Sequence, residues 1–250
     1  MTHNSSVNKI TNRIQNKILY SLIAVHIGIG LAASQTQAQS TTAPQRAVLP
    51  TLVPDNAHPP LDIDIQYRHR RNQNEEFKKL NDGDTLYSGD QYQIIFTPTS
   101  TTYVYIFQKG SSGNLYQLFP MTQFNSVVVN NFNPAQPNIT YFIPAQDKSF
   151  YLDERMGEEK IYIIATRQPD KQLENQYQQV LIARRGRSAA QVQTAQSRLQ
   201  SAIQMRDPAG IITHSPHNPP PKMDEHAFSQ IWQRLEICEG CVNTLTFRHR

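Results

Sequence analysis

The run of residues 103–107 constrains the fold more than any other part of this 250-residue sequence. It reads Tyr-Val-Tyr-Ile-Phe, so aromatic side chains alternate with β-branched ones. A strand that is apolar on both faces needs cover on both sides, which places it in the interior of a layered β fold. Residues 108–114 have the length and glycine content of a hairpin loop, and residues 115–119 form the return strand, which Pro120 ends.

Further strands are predicted wherever apolar and polar residues alternate or β-branched residues cluster between turn signals. The clearest example begins at Leu61, where Leu61, Ile63, Ile65 and Tyr67 alternate with polar residues. The other predicted strands lie near residues 91–96, 126–132, 139–144, 158–169 and 242–250. About eight strands at such spacing are typical of an all-β sandwich. We therefore predict a mainly β protein whose antiparallel β-sandwich domain spans residues 61–169.

After Pro169 the pattern changes to a Gln-rich segment, residues 170–206. Spacings such as Leu173, Tyr177 and Val180 predict helices, and Gly186 is the expected break between them. The apolar stripe is narrow, so these helices should pack on one side only. The segment is thus a helical insertion before the last strand.

The remaining segments flank these two parts. Residues 39–60 are rich in Pro and Thr and predict a linker or an extended arm. Within residues 207–250 we predict a proline-rich loop at 214–222, a short helix at 228–235 and a final strand that rejoins the sheet.

Residues 1–38 have the pattern of a signal peptide. Lys9, Arg13 and Lys17 precede the apolar run 18–34, which is shorter than the roughly 20 residues of a stable membrane span. Small residues then offer a cleavage site after Ala38, so the mature chain would begin at Gln39. An uncleaved anchor is the alternative. We expect a periplasmic or secreted protein with no membrane span after cleavage.

This leader accounts for most of the net charge of +4. It holds three of the 24 Lys and Arg residues and none of the 20 acidic residues, so the mature chain is nearly neutral. A neutral chain gains little from counterion release, which argues against nucleic acid as a partner.

The sequence Cys238-Glu-Gly-Cys241 is the sharpest chemical motif. A zinc site would need two further ligands, and His214, His217 and His226 form no recognisable second pair. An oxidising compartment favours a disulfide, which would clip the turn before the last strand. Thiol exchange at Cys238 and Cys241 is the alternative.

Other candidate chemistry is weaker. Asp82 and Asp84 alternate as at the start of a calcium loop but lack the later ligands, so a plain turn is predicted. The acidic run 153–160 reads as a solvated connection between strands. The sequence contains no P-loop, no nucleophile elbow and no His-Glu-x-x-His motif. We therefore expect no enzyme, no cofactor and no metal.

Tyrosines crowd the β region and suggest a binding face. If exposed, their rings could stack on sugars or anchor a protein partner. Core packing beneath the helical segment is the alternative. The candidate residues are Tyr92, Tyr103, Tyr105 and Tyr116.

Residues 80–169 contain a set of turn and strand motifs that occur together. They are a Gly-Asp turn, the aromatic strand, a Leu-Phe-Pro stop, an Ile-Pro step and a Gly-x-Glu strand entry, at Gly89 and Asp90, residues 103–107, residues 118–120, Ile143 and Pro144, and Gly157 and Glu159. In these motifs the segment resembles the bacterial domain of unknown function 4384. The resemblance implies a small β-rich accessory module, of the kind found in envelope proteins or appended to kinase-like and caspase-like domains, with no associated catalytic residues.

Taken together, these observations lead us to expect an exported, non-enzymatic binding or scaffolding module of the cell envelope. It would present a sheet face and its helices to an envelope protein, whose identity the sequence does not give. The alternatives are a periplasmic thiol-disulfide protein that uses Cys238 and Cys241, and a carbohydrate or peptidoglycan binder. The sequence does not predict the oligomeric state.

Overall fold

The computed structural model describes residues 60–206, 208, 211–213 and 232–250. The predicted signal peptide, all of the linker but Pro60, and the proline-rich loop lie outside these residues, as do His214, His217 and His226. The predictions made for those segments stay predictions.

Strands dominate the described residues, with two helices near the end of the chain. The strands are β1 (Leu61–Arg70), β2 (Lys78–Lys79), β3 (Thr85–Leu86), β4 (Gln91–Pro98), β5 (Tyr103–Lys109), β6 (Leu115–Phe119), β7 (Met121–Phe124), β8 (Val127–Asn131), β9 (Tyr141–Ile143), β10 (Phe150–Tyr151), β11 (Gly157–Thr166), β12 (Ile211–Thr213), β13 (Gln233–Ile237) and β14 (Val242–His249). The helices are α1 (Lys171–Gly186) and α2 (Ala189–Gln204).

Seven strands form the first sheet, here called sheet 1, in the order β10-β4-β1-β13-β12 with β2 beside β1 and β9 beside β4. All of its pairings are antiparallel. Ile65 of β1 lies opposite Phe96 of β4, and Ile63 of β1 lies opposite Leu235 of β13. This register puts the apolar members of neighbouring strands on one face, as the alternation in β1 predicts.

Five strands form the second sheet, here called sheet 2, in the order β3-β14-β11-β5-β6. Ile163 of β11 lies opposite Ile106 of β5 and Asn243 of β14. The last strand of the chain is therefore inside the sheet, between β11 and the short β3, to which it is parallel. Strands β7 and β8 form a separate two-stranded hairpin.

The main core lies between the two sheets. The side chains that meet there are almost fully buried, and each contributes roughly 1.5–3 kcal/mol relative to exposure. Phe96 lies at the centre, with its ring centroid 5.1 Å from the stacked ring of Tyr141 and 5.0 Å from the edge-on ring of Phe119. The principal contributors are Ile63, Ile65, Ile94 and Phe96 from sheet 1 and Val104, Ile106, Ile161, Ile163 and Phe247 from sheet 2.

The opposite face of sheet 2 packs against both helices and forms a second core. The side chains that the strands contribute are Tyr105, Phe107, Tyr162 and Ile164, and those that the helices contribute include Leu173, Val180, Leu199 and Ile203. Sheet 2 is thus covered on both faces, which explains why β5 is apolar throughout. The predicted mainly β fold with antiparallel sheets and a helical segment after residue 169 is confirmed, although three described strands, β12, β13 and β14, follow the helices rather than one.

The two helices are separated by a short turn after Gly186. Asp170 caps the start of α1 by accepting the backbone N–H of Leu173 over 2.9 Å. Arg187 follows α1 in a left-handed conformation with φ of 58°, and Ser188 caps α2. Each helix has 16 residues, and among the described residues no helix is long and apolar enough to cross a bilayer.

The sequence predicted a helix over residues 228–235, and this is wrong for the part of it that the structure describes. Residues 233–235 belong to β13, and residues 228–231 lie outside the described residues. Leu235 and Ile237 belong to the main core, while Arg234, the residue before Leu235, pairs with Asp64 on β1 at 3.0 Å. Cross-strand pairing with β1 therefore overrides the helical spacing of the apolar residues.

Candidate functional site: a groove beside the first helix

Two of the four tyrosines predicted to form a binding face are buried. Tyr92 and Tyr105 are each 1% exposed. The hydroxyl of Tyr92 donates to Gln108 over 2.6 Å, while that of Tyr105 donates to Glu174 over 2.8 Å and accepts the N–H of Asp170. Burial raises the pKa of both phenols, so both hydroxyls stay protonated and act as donors. The prediction that they belong to an exposed face is wrong, because the second sheet and the helices cover them.

The other two tyrosines reach the surface at different places. Tyr116 is 45% exposed, and the guanidinium of Arg184 lies 4.6 Å from its ring centroid. Tyr103 is half-buried at the start of β5, whereas Tyr116 lies opposite Gln108 near the end of that strand. No single face therefore contains all four predicted residues.

Tyr103 lines an open groove of about 740 Å³ between α1 and the strands that follow β5. Two more aromatic side chains, Phe132 and Tyr177, and two prolines, Pro120 and Pro169, line it as well. We call this site the aromatic groove. Phe132 is 56% exposed, so it presents most of its ring to solvent.

An asparagine fixes the wall that carries Phe132. The side chain of Asn133 donates to the carbonyl of Val104 over 2.8 Å and accepts the N–H of the same residue over 3.0 Å. Strand β6 does not pair with Val104, and the side chain of Asn133 makes the two backbone hydrogen bonds there that a neighbouring strand would otherwise make. Thr102 and Ala135 extend the pairing with two backbone hydrogen bonds. These bonds hold Phe132 beside the start of β5.

The helix side of the aromatic groove is also held by specific contacts. The ring of Tyr177 packs edge-on against Phe107, with centroids 5.8 Å apart. Lys171 and Glu174 form an ion pair of 3.1 Å among the lining residues, and Glu174 also accepts from Tyr105. The groove thus combines apolar rings with one surface pair of opposite charges.

A serine–histidine contact that no sequence motif predicted lies outside the groove. Ser88 Oγ is 3.0 Å from His249 Nε2, although 161 positions separate the two residues. His249 Nδ1 is buried and has no hydrogen-bond partner in the described part of the chain. A catalytic triad needs an acid at that nitrogen to orient the ring, so this contact does not form one.

The two aspartates considered as a calcium loop act in turns. Asp82 accepts the N–H of Thr246 and Asp84 accepts the N–H of Asn81, each over 2.7 Å. Gly83 between them has a positive φ of 83°. Across residues 60–206 and 232–250, no group of three His, Cys, Asp or Glu side chains is placed to hold a metal ion.

Cys238 and Cys241 form a disulfide within the turn that joins β13 to β14. Cys238 is exposed, whereas Cys241 is 7% exposed and belongs to the main core. We expected this pair to follow a helix, but both neighbouring elements are strands.

Several contacts hold the disulfide turn against the rest of the protein. The N–H of Gly240 donates to the carbonyl of Ala165 over 2.9 Å, and the carbonyl of Gly240 accepts from Arg206 over 2.9 Å. Arg206 also forms an ion pair with Asp170, the residue that caps α1. The turn is therefore linked to the start of α1, which borders the aromatic groove.

Comparison with known proteins gives one match. Residues 85–169 match the model of a family described as a domain of unknown function, DUF4384. No curated protein and no solved structure matches the chain. The match runs from β3 through β11 and ends before α1. The resemblance that the sequence motifs predicted is thus confirmed by a family match over residues 85–169.

Proposed function

We propose that this protein is an exported, non-enzymatic binding module of the bacterial cell envelope. Its aromatic groove would receive an extended peptide segment of a protein partner. The single observation that carries this proposal is the groove itself, where Tyr103, Tyr177 and Phe132 surround a volume of about 740 Å³.

The chemistry of the groove favours a peptide. Aromatic rings and prolines offer flat apolar surface at low entropic cost, and aromatic residues dominate the binding energy of protein interfaces. Aromatic-lined grooves also accept extended, proline-containing segments. The Lys171–Glu174 pair at the same site could bond to the polar backbone of such a segment.

Export is supported by the sequence of residues 1–38, with its basic start and apolar run. Fractionation of cells and N-terminal sequencing of the mature protein test it directly. We expect the protein outside the cytoplasm with Gln39 as its first residue. An intact leader on a cytoplasmic protein would contradict this part of the proposal.

Site-specific crosslinking in intact cells tests the groove. A photoreactive phenylalanine analogue at Phe132 should yield a discrete adduct with a partner protein, which mass spectrometry then identifies. The matched control places the same analogue at Tyr151, which is 57% exposed on β10 and outside the groove. We expect no such adduct from that position.

A second substitution separates binding from chance proximity. Tyr177→Ala removes an aromatic wall and should abolish the adduct formed at Phe132 while the protein remains folded. Equal adducts from Phe132 and Tyr151, or an adduct that survives Tyr177→Ala, would contradict the proposal. If purified sacculi retain the protein and this too depends on Tyr177, the groove binds peptidoglycan instead.

A thiol-disulfide function is the second candidate, favoured by the exposure of Cys238 and the burial of Cys241. In exchange reactions, an accessible thiolate attacks and a second thiol resolves the mixed disulfide. Cys241→Ser should then trap Cys238 in mixed disulfides with envelope proteins. The absence of trapped species on non-reducing gels would rule out this alternative.

A further inference from the structure

A second concave site lies where the two helices meet sheet 2. It is bordered by the loop between β5 and β6, the end of α1 and the start of α2, and its volume is about 610 Å³. That volume lies within the range of roughly 300–1,000 Å³ that is usual for small-molecule sites. It shares no lining residue with the aromatic groove.

The charge of this site is one-sided. Lys109, Arg184 and Arg187 line it, and no Asp or Glu does. The mature sequence is nearly neutral, so three cations without an acid are a local concentration rather than a reflection of composition. We call this site the basic cleft.

One of the three cations is fixed in place. Arg184 donates through Nη2 to the carbonyl of Leu115 over 2.7 Å, and its guanidinium stacks on the ring of Tyr116. Neither partner carries a negative charge, so the charge of Arg184 is not neutralised by these contacts. An immobilised guanidinium binds an anion with little further loss of side-chain entropy.

The other two cations are available. Neither Lys109 nor Arg187 forms a hydrogen bond or ion pair through its side chain with another described residue. Pairing with Lys160 at 2.9 Å is the main cause that lowers the pKa of Glu158, and the charge of Lys109 adds to this effect without a direct contact. No acidic side chain of the described residues therefore competes for the basic cleft by a direct contact.

The uncharged walls are ordered as well. Gln196 accepts the N–H of Leu115 over 2.7 Å and donates to Asn114 over 3.0 Å, so its amide is fixed. The first turn of α2, which begins at the cleft with Ala189, contains no acidic residue. The partial positive charge of this helix end thus adds to that of the three cations.

We propose that the basic cleft binds a small oxyanionic ligand, that is, a molecule carrying a phosphate or carboxylate group. Arg187 and Lys109 bind the charged oxygens, and Arg184 orients the group from the side of Tyr116. Guanidinium groups pair with such oxygens through two parallel hydrogen bonds, which gives both affinity and direction.

Calorimetric titration of the full mature chain with pyrophosphate and with citrate tests this proposal. We expect saturable binding of at least one probe, and the probe that binds more tightly assigns the group as phosphate or carboxylate. Arg187→Gln should weaken binding about tenfold or more, because it removes one charge-assisted contact. Lys109→Gln should weaken it in the same direction.

Arg185→Gln is the matched control, because Arg185 is an exposed cation adjacent to Arg184 that does not line the cleft. It should leave the affinity unchanged within about twofold, since Arg185 does not line the cleft and its solvent-exposed charge is screened by salt. Arg187 is itself exposed, so its variant should unfold at the same temperature as the wild type. Equal weakening by Arg185→Gln and Arg187→Gln, or no saturable binding of either probe at millimolar concentration, would overturn the proposal.

Discussion

Gln196 accepts the backbone N–H of Leu115 through its side-chain oxygen over 2.7 Å. Arg184 donates to the carbonyl of Leu115 over 2.7 Å. Leu115 begins β6, the edge strand of sheet 2. Two helix side chains thus occupy the hydrogen-bonding positions that another strand would otherwise take, which protects this part of the edge from pairing with a second chain.

We predict that Gln196→Leu destabilises the protein by about 1–3 kcal/mol, because the buried N–H of Leu115 loses its acceptor. Urea unfolding measures this change in the free energy of unfolding. Gln193→Leu on the same helix is the control, since Gln193 is exposed, and it should change stability by less than about 0.5 kcal/mol. Similar losses in both variants would show that the Gln196–Leu115 bond contributes nothing.

Gly157 should not tolerate a side chain. A Cβ at this position would lie 2.7 Å from the Cβ of Ser111, and its φ is +151°. We expect Gly157→Ala to cost about 2–4 kcal/mol in the free energy of unfolding. Gly113→Ala, where φ is +79° but nothing lies within 4 Å, should cost only about 1 kcal/mol.

A double-mutant cycle with Ser111→Gly separates crowding from backbone strain at Gly157. Removing the Ser111 Cβ should reduce the cost of Gly157→Ala by about 1 kcal/mol or more, as expected for two residues in contact. If the two substitutions are additive, the close approach is not the cause.

The stability of the protein should depend on the protonation of His69. Burial lowers the pKa of His69 below its ordinary value, opposed by the charges of Asp90 and Asp84. The unfolded chain therefore binds the proton more readily than the folded one, so this contribution is present above about pH 6.5 and is lost as the pH falls towards the folded-state pKa.

His69→Gln tests this dependence, because it removes the titration and keeps a polar side chain. Between about pH 8 and pH 5, the melting temperature of the wild type should fall by more than that of the variant. Other histidines contribute equally to both proteins and cancel. Parallel curves would mean that His69 titrates alike in the folded and unfolded chains.

Reduction of the Cys238–Cys241 bond should cost about 2 kcal/mol, the chain-entropy value for so short a loop. Guanidinium unfolding with and without dithiothreitol measures the difference. The double variant Cys238→Ser and Cys241→Ser should have the same free energy of unfolding as the reduced protein, and dithiothreitol should not change it. If the reduced and oxidised wild-type proteins are equally stable, the disulfide does not stabilise the fold.

The alternation in β5 was enough to predict a buried strand but not what covers each of its faces. Val104 and Ile106 point into the main core, while Tyr105 and Phe107 point to the helices. The sequence pattern of β5 shows only that both faces of the strand are apolar. The partner of each face depends on contacts far along the chain, which is why Tyr105 could be mistaken for an exposed residue.

The residues of the aromatic groove also depend on contacts between distant parts of the chain. Tyr103 was predicted from its aromatic character, but Phe132 and Tyr177 reach the aromatic groove only because Asn133 pairs with β5 and α1 packs on sheet 2. In β13 the helical spacing of Trp232 and Leu235 competed with the alternation of Leu235 and Ile237. Pairing with β1 decided in favour of the strand, and no signal within the segment itself predicts that pairing.

The position of β14 within sheet 2 has a consequence for how fragments of this protein should be cut. Residues 85–169 end before β14, yet that strand separates β3 from β11, and β1 at the centre of sheet 1 lies before residue 85. An expression fragment trimmed to the family match would thus lack an interior piece of each sheet and leave both hydrophobic interiors open to water. Fragments intended for crystallisation should extend from residue 60 to residue 250.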